Sequence, residues 1–236
     1  MIGARGNMAN NVVCVKHGNK YPAHYVNVLY SMVSRHLSKT FNFYCITEDP
    51  KDLNENIKTI KPPQHLLGWW CKPFAFAREN GIQGPCLFLD LDVVIIGSID
   101  KIFDHRPHNL NIIRDFNRKH IEKWDRYNSS VFTWNAPDMN AHWEQFNRDY
   151  RNKNSRYPGD QDWMYAEIKG ASFFPDTWIQ SYKWEVKGQR RMVVTAGKKH
   201  FDDLPSTLPQ DCAILVFHGK PNPHELEDKI IVDNWK

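Results

Sequence analysis

The sequence predicts an α/β fold with a mainly parallel central sheet flanked by helices. Short, β-branched apolar runs alternate with helix-spaced segments through the first hundred residues, the pattern of parallel strands joined by crossover helices. The most hydrophobic stretch, Cys86 to Ile96, closes that alternation and is interrupted only by two aspartates. The 236 residues contain neither an internal repeat nor a clear linker, which fits a single domain spanning 1–236.

The first apolar run, Val12 to Lys16, reads as a buried strand that ends in a loop, His17-Gly18-Asn19-Lys20-Tyr21-Pro22. Tyr25, Val28, Leu29, Met32, Val33 and Leu37 then recur at three- and four-residue spacing, so a helix follows. Phe41 to Thr47 is the second strand, and Asn56 to Lys61 is a short third one stopped by Pro62-Pro63. Lys72 to Asn80 reads as a helix ending at Gly81, and Cys86 to Ile96 as one long buried strand. Beyond it, Leu110 to Arg114 and Ser130 to Trp134 read as strands, and Asp138 to Arg151 as one helix with Met139, Trp143, Phe146 and Tyr150 on a face. Another helix starts near Asp160, and Cys212 to Phe217 is the last apolar strand.

Composition excludes several function classes. Hydrophobic residues make up 41 % and charged residues 25 %, as expected of a globular domain. The net charge of +4 is not gathered into a basic arm; its densest spots are Gln189-Arg190-Arg191 and Gly197-Lys198-Lys199, so nucleic acid is not the expected partner. Cys14, Cys45, Cys71, Cys86 and Cys212 lack close metal-ligand spacing, and four lie in apolar runs, which suits buried thiols in a reducing compartment. Met1 to Asn11 lacks the apolar stretch of a signal peptide, and no run reaches transmembrane length. A cytoplasmic location without an integral membrane segment is therefore expected.

The chemistry concentrates in Leu89-Asp90-Leu91-Asp92-Val93. Burying an unpartnered carboxylate costs several kcal/mol, so two in the most apolar strand need a reason. Residues two apart in a strand point to the same side, which would direct Asp90 and Asp92 to one point. Their repulsion would raise one pKa unless a cation sits between them, and hard oxygen ligands suit manganese or magnesium. The alternative is a strand that ends at Asp90, with both aspartates capping a turn; the apolar run Val93 to Ile96 continuing straight on speaks against it.

An aspartate-x-aspartate motif after an apolar strand, preceded by strand–helix units, resembles the glycosyltransferases of the Rossmann-like GT-A fold. The likeness runs along almost the whole chain and points to the glycogenin and lipopolysaccharide galactosyltransferase group. It implies a nucleotide-binding half over 1–100, and an acceptor-side half over 101–236 that ends in a segment for metal and diphosphate. By this resemblance Asp90 and Asp92 hold the metal, with His218 as third ligand, and Asp90 also borders the donor. Val15 and Tyr21 flank the nucleotide. Lys72, in Trp70-Cys71-Lys72-Pro73, meets phosphate or donor sugar. Asn128, in Asn128-Ser129-Ser130-Val131, lies beside that sugar, although Ser130 stands where the group carries glycine. Asp160 and Gln161, in Gly159-Asp160-Gln161-Asp162, open a helix at the reaction centre. Lys220 meets the diphosphate, but the interval from His218 to Lys220 is compressed and no tryptophan follows Pro221.

The implied activity moves a sugar from a nucleotide-diphosphate donor, a uridine diphosphate sugar by resemblance, to a hydroxyl of a carbohydrate or glycoconjugate. Asp160 would stabilise an oxocarbenium-like sugar carbon. An inverting reaction would use Asp160 or Asp162 as base, whereas a retaining one, as in the resembling group, needs none. Two other readings compete. A haloacid-dehalogenase-type phosphohydrolase also carries aspartate-x-aspartate after a strand, usually the first one. A non-catalytic nucleotide-sugar-binding module would bind donor without releasing nucleotide.

Overall fold

The computed structural model describes residues 9–188, 191–195, 198–202 and 206–236. Its largest sheet has seven strands: β1 (Asn10–Lys16), β2 (Phe41–Thr47), β3 (Ile57–Ile60), β4 (Gly84–Leu89), β6 (Asn111–Arg114), β7 (Tyr127–Ala136) and β8 (Ser172–Phe173). Their order is β3-β2-β1-β4-β7-β6-β8. β7 pairs antiparallel with β4 and β6, while the remaining pairings are parallel. A second sheet orders β5 (Val94–Ile95), β12 (Ile214–Val216) and β9 (Ile179–Ser181) side by side. β10 (Arg191–Thr195) and β11 (Lys198–Asp202) form a hairpin, which the sequence pattern did not foreshadow. The side chains of the two basic spots, around Arg190 and Lys198, lie outside the described residues.

Alternation along the strands explains why both faces of the large sheet are covered. Val12 and Cys14 of β1, with Leu87 and Leu89 of β4, enter one apolar cluster. Val13, Cys86 and Phe88 enter another on the opposite face. The first cluster is capped by α1 (Ala23–His36), whose Tyr25, Val28, Leu29, Met32 and Val33 are buried as their spacing predicts. The second rests on α3 (Asn140–Arg148) and α5 (Asp160–Glu167), through Trp143, Phe146, Trp163 and Met164. Phe88 and Phe132 stack across β4 and β7, with centroids 4.7 Å apart. Three short helices complete the fold: α2 (Asp100–Asp104), α4 (Tyr150–Arg156) and α6 (Lys229–Asn234). Among the described residues, no helix is long and apolar enough to cross a membrane.

Three expectations need correction. The helix read from Lys72 to Asn80 is a 3₁₀ helix over Gly68–Phe76, followed by a second 3₁₀ turn at Arg78–Asn80. Pro73 lies inside the first helix and has no N–H to give an α-helical bond. Trp70 through Phe76 are all buried, so neighbours on every side, not an amphipathic stripe, set the path. The helix read from Asp138 to Arg151 is two, α3 and α4. They break at Asp149, whose φ of −123° and ψ of 29° lie outside the helical region; its side chain accepts instead from Asn152. The run Cys86 to Ile96 is two strands in two sheets: β4 stops at Leu89 and β5 begins at Val94.

Leu29 is fully buried at the centre of the α1 interface. Leu29→Ala is expected to cost about 2–5 kcal/mol in urea unfolding, whereas Val232→Ala, at a position 55 % exposed, should change stability by no more than about 0.5 kcal/mol.

Candidate functional site

The site begins where β4 leaves the large sheet. The Asp90 amide donates to the Ser130 carbonyl at 2.9 Å, continuing the bonding to β7 for one residue past Leu89. Leu91 and Asp92 then form a turn that carries the chain into β5 of the second sheet. The pair therefore sits on the turn bridging two sheets, and the expectation of a continuous strand is overturned. The Val93–Ile96 run is apolar because it enters a second buried sheet, not because the first one goes on.

Lys72 is the centre of the cluster. Its ammonium lies 2.9 Å from Asp90 Oδ1 and 3.2 Å from Asp160 Oδ2. It also donates to Ser129 Oγ at 3.1 Å and to the Ser129 carbonyl at 3.3 Å. Burial works against its charge, but the carboxylates of Asp160 and Asp90 outweigh that and raise its pKa. The 3₁₀ helix supplies the lysine, the β4 end supplies Asp90, and the first residue of α5 supplies Asp160. Ser129 of β7 donates its hydroxyl to Asp160 Oδ2 at 2.6 Å.

Charge has been placed in this pocket at a cost. Burial pushes the Asp90 carboxyl up to about 6; Lys72 opposes this, and Asp92 and Asp160 reinforce it. Asp92 is also raised by burial, with the Tyr21 hydroxyl working against the shift. That hydroxyl donates to Asp92 Oδ2 at 2.7 Å. Asp90 keeps 26 % of its side-chain surface open, so the cluster is reachable from outside. Beside it, Lys20, Tyr21, Tyr25, His224 and Trp235 line a cavity of about 270 Å³.

The other expected residues divide. Asn128 is buried and holds the β7 backbone, its Oδ1 accepting from the Ser130 amide at 3.0 Å. Val15, the next-to-last residue of β1, is half-buried against the second apolar cluster. Gln161 is half-buried in the first turn of α5. Asp162, on the same turn, has its carboxyl raised by burial, with Arg126 opposing. His218 follows β12, and its Nε2 lies 2.6 Å from the Ser181 hydroxyl. Among the described residues, no three histidine, cysteine, aspartate or glutamate side chains gather closely enough to hold an ion, so His218 is not brought into one group with Asp90 and Asp92. Lys220 points to Glu225 at 3.7 Å with its side chain 83 % exposed, away from the carboxylates.

The donor set still fits a hard divalent ion. Two carboxylates at one turn, both raised by burial and Asp90 also by Asp92 and Asp160, are hard oxygen donors of the type such an ion takes. Ser129, quoted in the Asn128-Ser129-Ser130-Val131 segment without a role of its own, joins the cluster through Lys72 and Asp160. Its place in that segment was the signal, and a serine between strand residues is otherwise ordinary.

No protein-family model matches the chain, and no curated protein matches it by sequence. Solved structures do match. The galactosyltransferase LgtC in complex with donor and acceptor sugar analogs has a TM-score of 0.61 at 14 % identity, covering 96 % of each chain. The apo form of the glycosyltransferase GlyE of Streptococcus pneumoniae gives 0.60 at 12 % identity, over 92 % of this chain and 56 % of that one. The bifunctional glycosyltransferase WbbM gives 0.60 at 11 % identity, over 93 % and 47 %. The chain has the GT-A glycosyltransferase fold.

The raised Asp90 carboxyl makes a signed prediction. A folded-state pKa of about 6 lies above the unfolded value, so the native state binds the extra proton between about pH 4 and 6. Asp90 therefore lowers stability as pH rises through that window, and the loss is complete above about pH 6. With divalent ions chelated, the stability of the unsubstituted protein should fall relative to that of Asp90→Asn as pH rises from about 4 to about 7.5. Urea midpoints at both pH values read that relative change, and a difference that stays constant with pH overturns it.

Proposed function

We propose that this protein transfers a sugar from a nucleotide-diphosphate donor, a uridine diphosphate sugar in the first instance, to a hydroxyl of a carbohydrate or glycoconjugate acceptor. The observation that carries it is the buried cluster of Lys72 with Asp90 and Asp160 at the end of β4, set in this fold. Asp90 and Asp92 would hold manganese or magnesium, with phosphate oxygens and water completing its ligands. Such an ion supplies charge neutralisation on the departing nucleoside diphosphate. For His218 to join as a ligand through Nε2, it would have to exchange its contact with the Ser181 hydroxyl.

The protein groups have separate tasks. Lys72 and Ser129 both reach Asp160 Oδ2 and fix that carboxylate in one orientation. A fixed negative charge beside the sugar stabilises the oxocarbenium-like carbon without reorganisation during the reaction. Gln161, one residue on, offers an amide for a sugar hydroxyl, and Asn128 braces the β7 wall where its pairing with β6 shifts register between Ile112 and Ile113. Val15 and Tyr21 border the nucleotide. Tyr21 also donates to Asp92, which couples the nucleotide side to the carboxylate pair.

The phosphohydrolase reading asks Asp90 to be a nucleophile through Oδ2, with Lys72 keeping the carboxylate ionised through Oδ1, but that reading places its motif after the first strand. Asp90 follows the fourth strand of the chain, not the first. A pure binding module would share the cluster and differ only in turnover. The chain's location in the cytoplasm is part of the same proposal.

Two measurements test this function. A thermal-shift panel of nucleoside diphosphates and their sugars should show stabilisation that depends on manganese. Asp92→Asn should then lower metal-dependent nucleotide release about 100-fold or more while circular dichroism stays unchanged. Undiminished release would remove Asp92 from the metal site, and donor binding without any release would leave only the binding module.

A further inference from the structure

The second sheet brings three chain segments to a common end. β5 runs antiparallel to β12, with Leu215 opposite Val94, and β9 runs parallel to β12, with Val216 opposite Ser181. Asp92 lies two residues before Val94, His218 two residues after Val216, and Lys183 two residues after Ser181. All three therefore leave the sheet at the same end, next to the turn that carries the carboxylate pair. Lys183 sits in a π-helix, Tyr182–Val186, a wide turn that is rare and occurs frequently at functional sites.

The ammonium of Lys183 is held in an arc of backbone. It donates to the carbonyls of His218 and, at 2.8 Å, Lys220. Gly219 lies between those carbonyls with φ of +69°, and a Cβ there would be 3.6 Å from the lysine nitrogen. Two of the three ammonium protons are thus used to shape the His218–Lys220 segment. Burial lowers the Lys183 pKa, and the negative charge of Asp92 is the influence that opposes it. The two lysines that the sequence assigns to a donor are committed elsewhere, and Lys20 lies over the Tyr21 ring on the nucleotide side. Lys72 is shared by Asp90, Asp160 and Ser129, and Lys220 leans on Glu225 in solvent.

We propose that Lys183, and not Lys220, is the cation that this chain presents to the diphosphate of its donor. The inference rests on the sugar-transfer reading above and deepens it. As the acceptor hydroxyl oxygen bonds the sugar carbon, the bond from that carbon to the diphosphate oxygen breaks; its electron pair stays with the diphosphate, which takes up the acceptor's proton. The third proton of the Lys183 ammonium is then placed to bond the diphosphate as it departs. The two backbone carbonyls hold the nitrogen in position beforehand, so little side-chain freedom is lost on binding.

The test is calorimetric titration of the full-length protein with manganese and the diphosphates of uridine, guanosine, adenosine and cytidine. The monophosphate of the tightest-binding base is then titrated in parallel. Lys183→Gln is expected to weaken diphosphate binding about 10- to 100-fold, the loss of one charge-assisted hydrogen bond. Monophosphate binding should stay within a few-fold, and Lys183→Arg should recover most of the loss. Equal diphosphate affinity in Lys183→Gln overturns the inference while leaving the donor reading intact. So does an equal loss of mono- and diphosphate, which marks Lys183 as a strap for the segment only, or Lys220→Gln carrying the selective loss in its place. Should Lys183→Gln fail to fold, Lys183→Arg and Lys220→Gln still decide between the two lysines. An unsubstituted protein that binds none of the four diphosphates overturns this inference and the donor reading together.

Discussion

A lysine ammonium enclosed by two carboxylates and a serine is the interaction on which the rest of the site depends. Lys72 reaches Asp90, Asp160 and Ser129 from a 3₁₀ helix whose residues from Trp70 to Phe76 are all buried. Each of the four groups comes from a different element, so the cluster also ties β4, β7, α5 and that helix together. Removing one partner of such a buried set leaves a charge without compensation, which typically costs about 3–5 kcal/mol. Hydrophobic packing has to supply that margin, and it does so on both faces of the large sheet, with Phe88 and Phe132 stacked just below the charges.

The same cluster leaves the site short of positive charge. Lys72 is shared by Asp90 and Asp160, Asp92 is held by the Tyr21 hydroxyl, and burial raises the carboxyls of Asp90 and Asp92. That imbalance is a stored capacity for a cation, and an anionic ligand arriving with a divalent ion would meet it on both counts. The second sheet contributes the other wall. By pairing β5 with β12 and β9, it sets the segments of His218 and Lys183 beside the aspartate turn. Short strands suffice here because the sheet has only to position chain ends.

Much of this was legible in the sequence where a local pattern and the tertiary environment demand the same thing. The three- and four-residue spacing from Tyr25 to Val33 becomes the buried face of α1. The start of α5 falls at Asp160 as read, because a polar first turn serves both the helix terminus and the site. The aspartate pair stood out because carboxylates are costly in an apolar run. Its strand geometry was misread for the same reason: two buried strands in separate sheets look like one when only hydrophobicity is visible. Lys72 and Asp160 were flagged singly, but nothing in their 88-residue separation in the chain announces a salt bridge.

By itself, the sequence determined the alternation of strands and helices, the covered faces of the large sheet, and the presence of a charged pair that burial makes expensive. These depend on side-chain periodicity and transfer cost, which are local properties. Only the tertiary structure decided that β4 stops at Leu89, that Asp90 and Asp92 bridge two sheets, and that Lys72 links Asp90 to Asp160. It also decided that Lys183 is held beneath the His218–Lys220 segment while Lys220 faces solvent. Those outcomes depend on which strands become neighbours, and a chain's local chemistry carries no record of its distant partners until packing brings them together.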